Sequence, residues 1–146
     1  MLSNSCKYGI RAMIYLAKHH SEKTSIGIKE ISHDLDLPTP FLAKIMQQLA
    51  RNKVLNSVKG PNGGFSLLKK PESITLYDIV KIIDGEDLFK NCVIHDGTCK
   101  SVKKGRKECA VHNDFENIRK DLLKLFRTKT LAELAESAAD SENILL

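Results

Sequence analysis

The sequence predicts a mainly helical fold with one small β-hairpin, followed by a long helix, and three observations lead to this fold class. Apolar residues recur at helical spacing through most of the 146 residues. One pair of short strand-like segments is present, separated by a turn that contains three glycines and a proline. A last apolar stripe at helical spacing follows a cysteine-containing segment that has no regular period.

The first three predicted helices lie close together in the sequence. Residues 6–17 and residues 29–35 each carry apolar side chains on one face. Pro38 ends the second helix, and Pro40 suits the first turn of a third helix, where a missing N–H costs no hydrogen bond. Two helices joined by so tight a turn are typical of a helix-turn-helix, in which the second of the two is the candidate reader.

A β-hairpin is predicted directly after the third helix. Residues 54–58 and 65–68 are its strands, and residues 59–64 are its tip. A hairpin in this position is the wing of a winged helix-turn-helix domain. Thr75 and Asp78 then have capping-box spacing and begin a fourth helix.

Positive charge is concentrated in the first half of the chain. Residues 1–75 carry 11 basic and 5 acidic side chains, whereas residues 76–146 carry 12 and 13, for a net charge of +5. Between Asp36 and Glu72 there are six basic residues and no acidic one. An acid-free stretch of this length indicates a surface that faces a polyanion. No apolar run reaches the length of a membrane span and no signal peptide begins the sequence, so a cytoplasmic protein is expected.

The outward face of the third helix is the candidate reader surface, because a DNA major groove admits one α-helix. Its apolar residues define the inward face, which leaves five outward-facing positions: Thr39, Ala43, Lys44, Gln47 and Arg51. Gln47 can pair with an adenine edge, Lys44 with guanine or phosphate, and Arg51 with phosphate. The alternative is that these are the ordinary solvated side chains of a small helical domain.

The wing and its surroundings supply further candidate contacts. Lys59 and Asn62 lie at the wing tip, where they are expected to enter a minor groove. Lys53, Lys69 and Lys70 are expected to contact phosphates regardless of base sequence, which makes affinity fall as salt rises. Together with the helix-turn-helix and the acid-free stretch, these residues predict binding to double-stranded DNA.

Residues 86–112, the cysteine loop, contain three of the four cysteines. Cys92, Cys99 and Cys109 are separated by six and nine residues, and His112 follows the last cysteine with two residues between. Three thiolates and an imidazole fit a zinc site or an iron–sulfur cluster, and the spacing fits unligated thiols equally well. His95 competes as a fourth ligand. Five basic residues in the same loop favour thiolates: Lys100, Lys103, Lys104, Arg106 and Lys107.

The last part of the chain is expected to mediate dimerisation. A long helix begins near residue 113 with one apolar stripe: Phe115, Ile118, Leu122, Leu125 and Phe126. The stripe predicts packing against a second chain, and the simple alternative is packing on the first helix of the same chain. The expected organisation is therefore residues 1–85 for DNA binding, 86–112 as the sensor loop, and 113–146 for dimerisation. No compact Cys-x-x-Cys motif or catalytic pocket is evident, so an enzyme is not expected.

Four segments resemble one known family of bacterial proteins. They are the wing SVKGPNGGF at residues 57–65, ITLYDI at 74–79, SCKYGIRA at 5–12 and PFLAKI at 40–45. These segments resemble the Rrf-two family of IscR-, NsrR- and CymR-like transcription regulators, and the resemblance extends from residue 1 to about 135. It implies a winged helix with a long dimerisation helix, a homodimer that regulates transcription at a palindromic operator, and Ser57 as a further DNA contact.

The resemblance also bears on the cysteine loop. Cluster-binding members of the family carry three cysteines in this loop, and IscR uses a histidine as fourth ligand. By this resemblance Cys92, Cys99, Cys109 and His112 hold an iron–sulfur cluster, 2Fe–2S in preference to 4Fe–4S, that senses redox state, nitric oxide or iron. The alternative is a regulator with structural zinc or no metal, controlled by a small molecule or a protein partner as in CymR-like members.

Overall fold

The computed structural model describes residues 1–20, 25–99 and 109–139 and confirms the expected fold class. Among these residues are seven α-helices, one two-stranded antiparallel hairpin and one 3₁₀ turn. In chain order they are α1 (Asn4–Lys18), α2 (Ile28–Asp34), α3 (Thr39–Arg51), β1 (Leu55–Val58), β2 (Gly64–Leu67), the 3₁₀ turn Pro71–Ser73, α4 (Leu76–Ile83), α5 (Asp87–Lys90), α6 (His112–Thr128) and α7 (Leu131–Ala139). No helix of the described residues is long and apolar enough to cross a membrane.

Helix α1 is the central element, and it packs against α3, α4 and α7. Ala12 and Met13 at its middle are fully buried. Its N-terminus is capped by Ser3, whose side-chain oxygen accepts from the Cys6 N–H at 3.0 Å. The core around α1 therefore joins the N-terminal helices to the last described helix.

The turn between α2 and α3 is fixed by side chains that satisfy its backbone. Ser32 is buried and donates to the carbonyl of Leu37, while Asp36 takes a left-handed conformation with φ +50°. From α1, Arg11 donates to the carbonyl of Leu35 at 2.9 Å. Helix α1 thus packs against the helix-turn-helix, and this packing sets the orientation of α3.

The second half of the chain departs from the sequence expectation at one point. The capping box of Thr75 and Asp78 at the start of α4 is confirmed. Within the cysteine loop, however, residues 87–90 form the short helix α5, which has too few residues to show a period in the sequence. Phe89 of α5 packs with Phe126 of α6, their ring centroids 5.3 Å apart, in a small second cluster that also contains Cys6 and Val80.

The apolar stripe of α6 is divided between two surfaces. Phe126 is buried against the same chain, in a cluster that includes Cys6 of the first helix, whereas Ile118 and Leu125 are 59% and 53% exposed. Helix α7 returns to α1, and its Leu131 belongs to the main core. The division of the chain into DNA-binding, sensor and dimerisation regions at residues 85 and 112 stays a prediction. The end of the chain from residue 140 lies outside the described residues.

Candidate nucleic-acid interface and cysteine site

Helix α3 presents its polar side chains on one face, as its sequence predicts. Leu42, Met46 and Leu49 are fully buried, and Ile45 is nearly so. The predicted contacts Lys44, Gln47 and Arg51 are exposed and Ala43 is half-buried. Thr39 is half-buried because its hydroxyl lies 2.6 Å from the hydroxyl of Ser32 in the turn.

Two residues that the sequence analysis did not single out hold α3 against the body of the protein. The Gln48 side-chain amide donates to the carbonyl of Ile82 at the end of α4, at 2.7 Å. Gly9 of α1 lies so close that an added Cβ would be 2.4 Å from Ile83 and 3.0 Å from Ile45. The sequence could not have identified Gly9 as a packing residue, because the contact joins three helices that are distant in sequence. The candidate reader helix is therefore rigidly placed.

Phe41 is a further residue that the sequence analysis missed. It lies in the first turn of α3 and is 62% exposed, next to the polar face that carries Lys44. An exposed aromatic ring at this position is suited to contact with apolar groups of DNA, such as a thymine methyl. Its exposure follows from the inward direction of Leu42 and Ile45, which leaves position 41 on the flank of the helix.

The wing is fixed by backbone contacts at its base. Strands β1 and β2 pair from Leu55 with Leu67 to Val58 with Gly64, and Phe65 also pairs with Ile26 through hydrogen bonds of 2.9 and 2.8 Å. Gly64 has φ +153°, and an added Cβ would lie 2.2 Å from the Ile26 carbonyl oxygen. Only glycine therefore fits at this point of closest backbone approach.

An open groove of about 810 Å³ lies between the wing, the first turn of α2 and α3. Three predicted contact residues line it from the wing, namely Ser57, Lys59 and Asn62, and Gln47 lines it from α3. Lys29 of α2 lies on the opposite wall and was not predicted. Lys53, Lys69 and Lys70 are exposed near the base of the wing. The groove is thus bordered by basic and amide side chains from three elements, which suit phosphates and base edges, and by one carboxylate, that of Glu30 beside Lys29.

The three loop cysteines converge. The sulfur of Cys109 is 3.5 Å from that of Cys92 and 3.5 Å from that of Cys99, and all three sulfurs lie within 4.8 Å of one another. Gly97 has φ +78°, and its carbonyl accepts from the Cys92 N–H at 2.7 Å, which closes the short turn between the first two cysteines. None of the cysteines forms a disulfide.

The environment makes the thiols of Cys92 and Cys99 chemically unequal. Hydrogen bonds from the backbone N–H groups of Ile94 and His95 lower the pKa of Cys92 to about 6, which makes it a thiolate at neutral pH. Donation to that sulfur raises the pKa of Cys99 to about 11. Three close sulfurs, one already ionised, are a donor set for zinc or for an iron–sulfur cluster, because metal binding displaces the remaining thiol protons.

The two candidate histidines differ in placement. His112 is the first residue of α6, its N–H donates to the Cys109 carbonyl at 3.0 Å, and it borders a cavity of about 420 Å³ together with Cys99. His95 is exposed. Among the described residues, the set of ligand atoms within 4.8 Å of one another consists of the three sulfurs and includes neither ring. The five basic loop residues lie outside the described residues.

The fold, the reader helix and the wing together define a winged helix-turn-helix DNA-binding regulator. The chain belongs to the Rrf2 (Rrf-two) family, described as iron-dependent transcriptional regulators, whose sequence pattern matches residues 2–137. The resemblance to this family is therefore confirmed over nearly the whole chain.

Relatives of known name are transcription regulators rather than enzymes. The chain is 27% identical over 146 residues to the HTH-type transcriptional regulator NsrR of Geobacillus kaustophilus, covering 99% of this chain and 95% of that protein. The structure of CymR, described as the global cysteine regulator of B. subtilis, has a TM-score of 0.76 and 25% identity, covering 94% and 97% of the two chains. T. potens IscR has a TM-score of 0.77 and 24% identity, covering 98% and 91%, and shares the fold.

Proposed function

We propose that this transcription regulator acts in the cytoplasm as a homodimer, binds a palindromic operator and is controlled by an iron–sulfur cluster in its cysteine loop. The observation that carries the proposal is the convergence of Cys92, Cys99 and Cys109 to within 4.8 Å, in a chain of the Rrf2 family. Soft thiolate ligands at this spacing favour iron–sulfur clusters or zinc over the hard cations that oxygen ligands bind.

The proposed DNA contacts follow the surface between α3 and the wing. Gln47 and Lys44 read base edges in the major groove, Arg51 contacts a phosphate, and Ala43 and Thr39 lie against the groove wall. From the wing, Lys59 and Asn62 enter the minor groove, and Ser57 donates to a phosphate. The open groove along the wing and the exposure of the charged side chains support this assignment.

The proposed dimer contact is the exposed part of the α6 stripe. Ile118 and Leu125 are two turns apart on one face, with the half-buried Leu122 between them, and more than half of each outer side chain is exposed. A two-fold axis along this face would present two reader helices to half-sites about one helical turn apart, which is the geometry of palindromic operators.

In the cysteine loop, Cys92, Cys99 and Cys109 would hold the cluster, with His112 as the proposed fourth ligand and 2Fe–2S as the proposed type. A bound cluster supplies iron that reacts with oxidants and with nitric oxide. The chain contributes the ionised Cys92 sulfur and the turn closed at Gly97, which bring the ligands together before the metal arrives. Gain or loss of the group would then alter the loop beside the dimer helix.

The test is an operator titration with anaerobically reconstituted protein, with metal-free protein and with the Cys92→Ala variant. We expect a visible absorption band and acid-labile sulfide in the wild type, their loss in Cys92→Ala, and a tenfold or larger change of operator affinity between the loaded and metal-free forms, the scale of about 1.4 kcal/mol of coupling. Cys6→Ala is the matched control, because Cys6 is buried outside the loop. Equal affinities of all forms would exclude cluster control and leave DNA binding intact.

A second candidate is a regulator of the same class with structural zinc or no metal, controlled by a small molecule or a protein partner. The same three sulfurs suit tetrahedral zinc, and the likeness to the CymR structure supports this candidate. Metal analysis of anaerobically purified protein separates the two. Colourless protein with one zinc per chain would favour this candidate, and iron with sulfide would favour the cluster.

A further inference from the structure

Arg119 of α6 is directed toward the cysteine loop and away from solvent. Its side chain is 13% exposed, and Nη2 donates to the carbonyl of Asn91 at 2.9 Å across a sequence separation of 28 residues. Asn91 immediately precedes Cys92, whose sulfur is one of the three that converge. One hydrogen bond therefore joins the residue before the first loop cysteine to the middle of the long helix.

The remaining contacts of Arg119 fix the plane of its guanidinium. Nη1 donates to Glu116 one turn earlier at 2.8 Å, and the guanidinium carbon is 5.2 Å from the centre of the Phe115 ring. The buried Nε has no hydrogen-bond partner among the described residues. Lys120, the next residue, is 67% exposed in its side chain and only reaches Glu116 at 3.9 Å.

Arg119 also borders the cavity of about 420 Å³ that lies beside the cysteine sulfurs. Cys99 and His112 border the same cavity, and α5 closes it with Phe89. The guanidinium thus lines the same cavity as the proposed ligand Cys99. It also holds the backbone of Asn91, which leads into the proposed ligand Cys92. Glu116 borders the same cavity and neutralises the guanidinium, so the role of Arg119 is to hold the loop backbone and not to supply charge.

We propose that Arg119 is the positioning residue of the cysteine site and joins the site to the dimer helix; this inference rests on the proposed metal-binding role of the loop. The bond to Asn91 attaches the loop to a rigid helix before any metal binds, so that part of the entropy cost of ordering the ligands is already met. Because Ile118 of the proposed dimer face is adjacent to Arg119, a change in the loop alters the position of α6 at that face. Metal binding must then also stabilise α6, because linkage is reciprocal.

A simple surface ion pair does not account for these contacts. The pair of Arg119 and Glu116 lies within one helix, and pairs at this spacing stabilise a helix by only about 0.2–0.5 kcal/mol. The long-range bond to Asn91 has no role in helix formation, since it joins the guanidinium to the backbone of the loop. Lys120 shares the Glu116 partner and has no hydrogen bond to the described part of the loop, so it provides the matched control.

The experiment measures metal affinity of the full-length, reduced protein with Co²⁺ as the probe. Sulfur-to-cobalt absorption follows binding, and competition by Zn²⁺ gives the stronger affinity. We expect Arg119→Gln to weaken binding by about 10-fold to 100-fold, the range found when partners of metal ligands are removed. Arg119→Lys keeps the charge but has one nitrogen in place of the two that reach Asn91 and Glu116, so an intermediate loss is expected. Lys120→Gln should bind as the wild type does.

A second readout follows amide hydrogen exchange in α6 with and without Zn²⁺. Zn²⁺ should slow exchange around residues 116–123 in the wild type and in Lys120→Gln, and this effect should disappear in Arg119→Gln. Wild-type affinity and wild-type protection in Arg119→Gln would overturn the inference alone. A wild type that binds no Co²⁺ would overturn it together with the metal role of the loop. If Arg119→Gln does not fold by circular dichroism, Arg119→Lys decides, and unchanged affinity there would overturn the inference.

Discussion

The wing and the cysteine loop are both turns with glycine that project from the helical body, but they are held in different ways. The wing is fixed by a backbone ladder and by the pairing of Phe65 with Ile26, and Gly63 and Gly64 are required because an added Cβ would lie 2.2 Å from a backbone oxygen. After α5, the described part of the cysteine loop is held by contacts among three sulfur atoms, a few local hydrogen bonds such as that at Gly97, and the side chain of Arg119.

The difference indicates a division of labour within one small protein. Backbone ladders and buried glycine contacts have one geometry, so the wing presents its contacts to DNA in a fixed orientation. Sulfur contacts and a single arginine can be rearranged by a metal or by oxidation at a modest cost in free energy. A regulator that responds to a chemical signal requires a DNA-binding surface of fixed geometry and a loop that can change.

The largest expected effect is on thiol reactivity in the metal-free, reduced protein. Burial raises the pKa of Cys6 to about 12, whereas backbone N–H groups lower that of Cys92 to about 6. At pH 7 the loop sulfur is ionised and the core sulfur is protonated, so alkylation of Cys92 should be more than about 100-fold faster. Mass spectrometry after iodoacetamide treatment measures both sites. Comparable alkylation rates would show that the Cys92 thiol of the loop is no more reactive than the buried Cys6 thiol.

The next effect concerns the base of the wing. In Gly64→Ala the added Cβ would overlap the Ile26 carbonyl, and the left-handed conformation adds strain, so unfolding free energy should fall by about 3 kcal/mol. Gly60→Ala is the control, since nothing lies within 4 Å of its added Cβ and only its φ of +109° opposes the change. Chemical denaturation compares the two variants. Equal losses would show that the contact with Ile26 does not fix the wing.

The third effect concerns the exposed face of α6. Leu125→Glu should leave folding within about 0.5 kcal/mol of the wild type, because the side chain is 53% exposed. It should break the proposed dimer and reduce operator affinity by about 100-fold through loss of the second reader. Asn117→Glu adds the same charge on another face of the helix and is the control. Sedimentation and operator titration give the result, and a dimer that survives Leu125→Glu would place the interface elsewhere.

The smallest expected effect distinguishes the basic residues of the wing from those of the cysteine loop. Lys59→Gln in the wing should reduce the slope of log affinity against log salt by about 1, as the loss of one phosphate contact does. Lys90→Gln, in helix α5 of the cysteine loop, should leave the slope unchanged because this residue pairs with Glu86 and belongs to neither the wing nor α3. Operator titration at several salt concentrations measures both slopes. A reduced slope for Lys90→Gln alone would reverse the assignment of the DNA surface.

Much of the fold could be predicted because its signals are local. The apolar spacing of α3, the capping box at Thr75 and the glycine-rich wing tip each depend on a few neighbouring residues. Helix α5 could not be predicted, since four residues contain about one helical turn and its stability comes from the packing of Phe89 on Phe126. The cysteines were recognised as candidate ligands, but their spacing fits several chemistries.

The amino-acid sequence by itself determined the order of the elements, the polar face of α3, the wing motif and the residues available to a metal, because periodicity and turn chemistry act over a few positions. The tertiary structure alone decided which distant groups meet. It brought together sulfurs separated by 17 residues, joined Arg119 to Asn91, and divided the α6 stripe into the buried Phe126 and the exposed Ile118. These outcomes depend on how the helices pack around α1, and packing is a property of the whole chain.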